Sequence, residues 1–490
     1  MEYKLQGGIS DMNYDSEKVG VVVFRPFSTP GGNYVYDRET NSILSLSRQE
    51  YESFARLYNN EQNERDLDVL EAFRAKGYFK NSALEEIRHP QDTVISFHLE
   101  NRIEKITLQV TQNCNLNCSY CTYSENKQYK NRTHANRVMS LETMRKSVDF
   151  FMQHSTNMPK VDIGFYGGEP LLGFENIKKL VAYIEQKYPY KKRSYSMTTN
   201  GTISSDEIIN FLSEKDFNVV ISLDGPKELH DMNRVFDDGQ GSFDKIMENL
   251  LYVKNQYPAF FEKISFNTVV APGSDFRCVD DFFNASDIIE DNVLNMSTVS
   301  DLYSESQVSY DELYTVNYGI QRTKMLLAAL GYIDKDKTSK LFRTNMAILS
   351  RMYETLGTIS GLSKIAHPGG PCLPGGKRSM IDVHGNIFPC ERVSEESEVM
   401  RIGHIDTGFD IDKVKSILNI GSLTSDECKH CWNFIHCNMC AAVADNLSNL
   451  DKELKLKQCS RAMNDTLSQF ATICLLRENG YVFEEGKYGL

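Results

Sequence analysis

The sequence predicts an α/β protein centred on a partial or full (β/α) barrel. Six strand-like runs, ITLQVT, VDIGFY, SYSMTT, NVVISL, ISFNTVV and VLNMSTV, recur between residues 106 and 299. Helical patterns separate most of them, and such alternation means βα units around a parallel sheet. Every conspicuous polar motif in this stretch follows a strand end. In β/α barrels that C-terminal rim is where active sites are built.

Residues 1–95 read as a small module. KVGVVVFRPF and GNYVYDRETNSILSLS look like strands, joined by STPGG and broken by a second turn at DRETN. SRQEYESFARLYN then starts a helix with Ser47 as N-cap and Glu50 as its capping-box partner. DLDVLEAFRAKGYF adds another helix, closed by Gly77. Residues 96–300 hold the barrel, with helices at SLETMRKSVDFFMQHS, ENIKKLVAYIEQKY, SSDEIINFLSEK, SFDKIMENLLYVKNQ and CVDDFFNASDIIED. Residues 301–365 read as polar connections and helices. From 366 to 490 the chain turns Gly/Pro/Cys-rich with little periodicity, the mark of a segment ordered by bound metal.

With 490 residues, two or three domains are expected. The 67 acidic residues against 54 basic ones argue against a nucleic-acid partner or an anionic membrane surface. No apolar run approaches the ~20 residues that span a bilayer, and the N-terminus carries no signal-peptide h-region, so a cytoplasmic location is expected. Twelve cysteines in such a chain point to metal or cluster ligation rather than disulfides. Three of them lie at 114–121 and seven between 372 and 459. Cys278 and Cys474 stand apart and read as small buried hydrophobes.

The first rim loop carries Cys114-x3-Cys118-x2-Cys121. Three thiolates on one loop suit a [4Fe–4S] cube with one iron left open for a ligand. A zinc site completed by a distant residue is the alternative. The second loop, FYGGEP, places Gly167 and Gly168 where backbone can approach a ligand closely, followed by the acceptor Glu169.

CxxxCxxC on the first loop with GGEP on the second resembles the radical S-adenosylmethionine (SAM) superfamily over residues ~103–300. The resemblance implies a partial (β/α)6 TIM barrel in which SAM chelates the open iron of the Cys114/Cys118/Cys121 cluster. Gly168 and Glu169 would hold its amine. TTNGT (Thr199, Asn200) and SLDGP (Ser222, Asp224) end strands where related enzymes contact SAM, and Arg234 would pair with the SAM carboxylate. The bland readings are a turn-former for Asp224 and a surface ion pair for Arg234.

The second array reads Cys372, Cys390, Cys428-x2-Cys431-x5-Cys437-x2-Cys440 and Cys459. CxxC…CxxC alone is a zinc-ribbon signal, but seven cysteines divide as four plus three rather than into tetrahedral sites. With GNIFPC, the array resembles the SPASM domain, a C-terminal Fe–S extension of radical SAM enzymes that modify peptides. The resemblance implies an outer auxiliary cluster on Cys428, Cys431, Cys437 and Cys459. An inner one would sit on Cys372, Cys390 and Cys440, giving three [4Fe–4S] clusters. Two departures stand out: Cys437 to Cys440 spans x2 where x3 is usual, and a further early cysteine is absent. The second leaves the inner cluster with an open iron or a non-cysteine ligand. An open iron would bind a substrate thiolate.

The N-terminal strands and helices resemble a winged-helix-like RiPP (ribosomally made peptide) recognition element, which binds a leader peptide at a sheet edge. Module, barrel and tail together resemble thioether-forming maturases of Cys-rich peptides, of the ranthipeptide (freyrasin-like) kind. The implied partners are a precursor peptide, its leader on the module and its Cys-containing core in the barrel, and an external electron donor such as flavodoxin or ferredoxin. The rival activities are formylglycine formation as in sulfatase maturation, carbon–carbon crosslinking and epimerisation. A non-enzymatic zinc adaptor is the rival of a different class.

Overall fold

The apolar run Val22–Phe24 is buried on both faces of a small antiparallel sheet. The computed structural model describes residues 22–124, 129–289, 292–359, 361–370 and 372–484. The start of the first expected strand, residues 18–21, and the N-terminal residues read for a signal peptide lie outside these. The sheet comprises β1 (Phe24–Ser28), β2 (Asn33–Asp37) and β3 (Ser42–Leu46), paired in that order. Successive strand residues face opposite sides. Phe24 and Val35 therefore enter a local core with Phe54, Leu70 and Phe79. Phe27 and Tyr36 enter a second core with Trp432 and Phe470 of the C-terminal segment.

Helix α1 (Arg48–Tyr58) begins with the expected capping box, Ser47 and Glu50 each bonding the other's backbone. Such a cap stabilises by ~1 kcal/mol. Helix α2 (Glu64–Arg74) has a second box between Asn63 and Asp66. Gly77, at φ 97°, turns the chain out of it.

All six barrel strands form where the sequence places them: β4 (Lys105–Thr111), β5 (Lys160–Gly167), β6 (Lys192–Thr199), β7 (Phe217–Ser222), β8 (Ser265–Val270) and β9 (Val293–Thr298). They are parallel and neighbour one another in chain order. Between them run α3 (Leu141–Gln153), α4 (Phe174–Lys187), α5 (Asp206–Glu214), α6 (Phe243–Gln256) and α7 (Phe276–Ala285). In α4, Phe174, Ile177, Leu180, Val181 and Ile184 recur at helical spacing and bury one stripe against the sheet. The last helix is shorter than CVDDFFNASDIIED suggests. Ser286 is extended and its hydroxyl accepts from Ile289 N at 3.2 Å, a local bond that competes with the helix and turns Ile289 into the core.

Helices α8 (Glu312–Ala329) and α9 (Asn345–Thr355) supply the expected helical connection. The C-terminal segment departs from the aperiodic reading. Strand β10 (Ser379–Ile381) pairs in parallel with β4, Ser379 opposite Ile106. Strands β11 (Asn386–Phe388), β12 (Gly403–His404) and β13 (Gly408–Phe409) continue antiparallel, giving a mixed ten-stranded sheet that runs from β9 to β13. Helix α10 (Ile411–Leu418) follows, and α11 (Cys459–Glu478) runs for 20 residues. Among the described residues no helix is long and apolar enough to cross a membrane.

Candidate active site

Loops one and two meet at the rim through their backbones. Gly168 N donates to Thr111 O and Glu169 N to Asn113 O, both at 2.9 Å. A Cβ on Gly168 would stand 2.1 Å from Asn113 O, and one on Gly167 2.2 Å from Thr111 O. These glycines are needed so that one loop can lie against the other, a reason different from the close approach to a ligand expected from FYGGEP.

Glu169 is wholly buried. Its carboxylate accepts from Leu171 N (3.0 Å), Thr199 Oγ1 (2.8 Å) and Asn200 N (2.7 Å), so it ties β5 to the end of β6. Burial pushes its pKa up to about 7, against the pull of those three donors. Asn200 in turn donates to Asn115 Oδ1 at 2.8 Å and reaches Cys114 Sγ at 3.9 Å.

The cysteine loop is clipped from its other side by residues 233–236, with Asn117 N on Val235 O (2.8 Å) and Ser119 N on Asn233 O (2.9 Å). Asp224 and Arg234 form a buried ion pair at 2.8 Å, and Tyr120, inside the cysteine motif, bonds the same carboxylate. Arg234 lies over the Tyr120 ring, and its charge acts on the Cys118 and Cys121 thiols. Arg234 is thus held by Asp224 beside the first cysteine set, not at the surface. Ser222 ends β7 half-buried, opposite Asn267 of β8.

All twelve cysteines are free thiols. Burial pushes Cys114 up to about 12 and Cys118 to about 11, and the thiols of this loop raise one another further. Cys428, Cys437 and Cys459 act in the same way on half-buried Cys431. Cys440 acts on Cys372 and on Cys390, the latter pushed to about 11. Cys431 thus lies within electrostatic reach of Cys428, Cys437 and Cys459, and Cys440 within reach of Cys372 and Cys390. Among the described residues no three His, Cys, Asp or Glu side chains converge tightly enough to hold a single metal ion. Thiols grouped in this way suit a cationic iron–sulfur group, since a coordinated thiol gives up its proton. The chemistry of the donor sets thus fits iron–sulfur ligation.

Two features escaped the sequence reading. Lys455, in the charged run DKELKLKQC, is buried at 2% exposure among the four-thiol set. Its only signal is its place one helical turn before Cys459. The other is a cleft of about 830 Å³ beside the end of β9, lined by Met296, Tyr303, Tyr314, Cys440, Asp445 and Arg461 among others. Cys372 and Cys440 are exposed, and Cys440 opens into this cleft.

Residues 108–285 match the Radical SAM superfamily. The radical SAM cyclopropyl synthase TigE of Paramaledivibacter caminithermalis is 27% identical over 287 residues, 54% of this chain. The chain spans little more than half of that protein, 57%. The cysteine-type anaerobic sulfatase-maturating enzyme of Clostridium perfringens strain 13 is 27% identical over 359 residues, 70% of this chain and 89% of that one. The structure of native anSMEcpe with bound AdoMet has a TM-score of 0.55 at 21% identity, covering 76% of this chain and 99% of that chain. With AdoMet and the Cp18Cys peptide the score is 0.51. At that identity the likeness is one of fold.

Proposed function

We propose that this chain, whose residues 108–285 carry the radical SAM domain, forms Cys thioether crosslinks in a ribosomally made precursor peptide. The match of residues 108–285 and the relatives support reading it as a radical SAM enzyme of the peptide-modifying kind. The thioether reading rests on one observation above all. The three-thiol set of Cys372, Cys390 and Cys440 is one ligand short of four, and Cys440 opens into a cleft of about 830 Å³.

Cys114, Cys118 and Cys121 would hold a [4Fe–4S] cluster that, with SAM, would supply the one-electron chemistry of hydrogen-atom abstraction. The chain's own residues do the rest by position. Glu169, Thr199 and Asn200 fix the loop ends around the first cysteine set, with Gly168 allowing their close packing. Asp224 and Arg234 brace that set from the opposite side. Cys440 and its two partners would hold a substrate thiolate at the cleft, which turns an intermolecular encounter into a local one. Overall one C–H and one S–H give way to one C–S bond. The hydrogen atom would leave in 5′-deoxyadenosine and the proton would go to solvent, and clusters held by the auxiliary cysteines would take up the remaining electron. An external reductant of the flavodoxin or ferredoxin class supplies the electron that starts each turnover.

The leader would dock on residues 22–95. Their sheet ends in β3, whose Ser42, Ile43 and Ser45 line a second cleft of about 830 Å³ against α9 and α11. A second reading, formylglycine formation, is favoured by the sulfatase-maturating relative, 89% of which is covered. Mass spectrometry of the product peptide separates them: a thioether costs two hydrogens and blocks one thiol from alkylation, whereas formylglycine removes the sulfur. Cys114→Ala is expected to abolish 5′-deoxyadenosine formation. Formation at the wild-type rate overturns the radical SAM assignment, and a product that keeps every thiol alkylatable overturns the thioether.

A further inference from the structure

The helix Lys452–Lys457 looks like a solvated basic turn, and Lys452 and Lys457 are indeed exposed. Lys455 is not. Its Nζ donates to Ile420 O at 2.8 Å and Thr424 Oγ1 at 2.6 Å, and reaches Cys428 Sγ at 4.0 Å. Three acceptors around three donors is the environment of an ammonium, which has no acceptor capacity of its own. Among the described residues Lys455 forms no ion pair with a carboxylate. The nearby Glu427 is paired with Lys452 at 2.7 Å.

A buried cation without a carboxylate is costly unless some other negative charge balances it. Among the described residues Glu427 also feels the charge of Lys455 but is already paired with Lys452, which leaves sulfur as the balancing charge. The charge of Lys455 acts on Cys437 and Cys459 as well as facing Cys428. Thr424 extends the contact, its Oγ1 lying 3.2 Å from Cys428 Sγ. The other two sets differ: Arg234 beside the first is neutralised by Asp224, and Arg378 beside the three-thiol set by Glu391 at 2.9 Å.

We propose that Lys455 is the resident counter-cation of the four-thiol set and raises the reduction potential of the [4Fe–4S] cluster held there. The inference rests on the cluster reading of Cys428, Cys431, Cys437 and Cys459 given above. Adding an electron makes a thiolate-ligated cluster more negative, so a fixed positive charge in a low-dielectric site favours the reduced form. Lys455 touches no substrate; it is a positioning residue.

The test is an EPR-monitored redox titration of the full chain carrying Cys114→Ala, Cys118→Ala and Cys121→Ala, so that only the auxiliary clusters titrate. The signal lost on further Cys431→Ala identifies the four-thiol cluster. Lys455→Met is expected to make that cluster at least tenfold harder to reduce, about 59 mV for one electron. Lys455→Arg keeps the charge and is expected to stay within threefold of its parent, and the other auxiliary signal does not move. Loss of iron in Lys455→Met with full iron in Lys455→Arg also supports a need for charge. An unchanged titration in Lys455→Met, or equal shifts or equal iron loss in both variants, overturns the proposal. Zinc in place of iron in the parent would instead overturn the cluster reading beneath it, and iron and sulfide analysis distinguishes the two failures.

Discussion

One carboxylate holds the rim together: Glu169 satisfies Leu171 N, Thr199 Oγ1 and Asn200 N from a site with no exposure. Glu169→Ala strands three buried donors, each costing about 1–3 kcal/mol when left unpaired. A loss of roughly 3 kcal/mol or more in urea unfolding is expected, with about half of it recovered in Glu169→Gln, which keeps one acceptor oxygen. Glu169 was legible because the GGEP motif singles it out. Its partners at Thr199 and Asn200 were legible as a strand end, but not as hydrogen-bond donors to it. Tyr120 and Lys455 were not legible at all. One is hidden between two cysteines, and the other sits in a charged run whose usual place is the solvent.

Helices α1 and α2 are locked by one ion pair, in which Arg56 bonds both oxygens of buried Asp66 at 2.6 and 3.0 Å. That guanidinium, helped by the Asn63 amide, holds the Asp66 carboxyl down to about 2 from its ordinary 3.8, against burial. A depressed carboxylate stabilises the folded state above its unfolded pKa, and the gain disappears as pH falls from about 3.8 towards 2. With Arg56 more than a third exposed, solvent screening cuts this contribution to about 1 kcal/mol. Asp66→Asn should therefore lower stability by about that much at pH 7, and the two proteins should converge as pH falls through this window, followed by far-UV circular dichroism. Strand and helix positions in the barrel were readable because period and length agree there. Two elements were not. The stripe of α11 contains Ala462, Thr466 and Cys474 beside Phe470 and Ile473, too mixed in hydropathy to stand out. Strand β10 has three residues, and only its partner β4 makes it a strand.

Across the whole molecule, the turn DRETN shows what composition hides. It reads as a solvated hairpin tip, yet Asp37, Arg38, Glu39 and Asn41 are all no more than 2% exposed. Arg38 bonds Glu39, Ser82 Oγ and Lys429 O, each at 2.6 Å, which fastens the N-terminal sheet to the loop of Cys428 and Cys431. Arg38→Met leaves Glu39 buried without its partner, and a loss of about 3–5 kcal/mol is expected. Faster proteolysis between the sheet and β4, with iron content retained, would show that the module has come undocked. The ten-stranded sheet carries a different consequence, in time rather than in energy. Strand β4 pairs with β5 on one side; its other edge is covered by Ser379–Ile381 along Ile106–Leu108 and by Arg137–Met139 at its C-terminal end. A ribosome adding roughly 5–20 residues per second needs about 14–54 s to travel the ~270 residues between them. For that interval the nascent barrel carries an open strand edge along Ile106–Leu108, so the chain has a built-in period of exposure to mispairing.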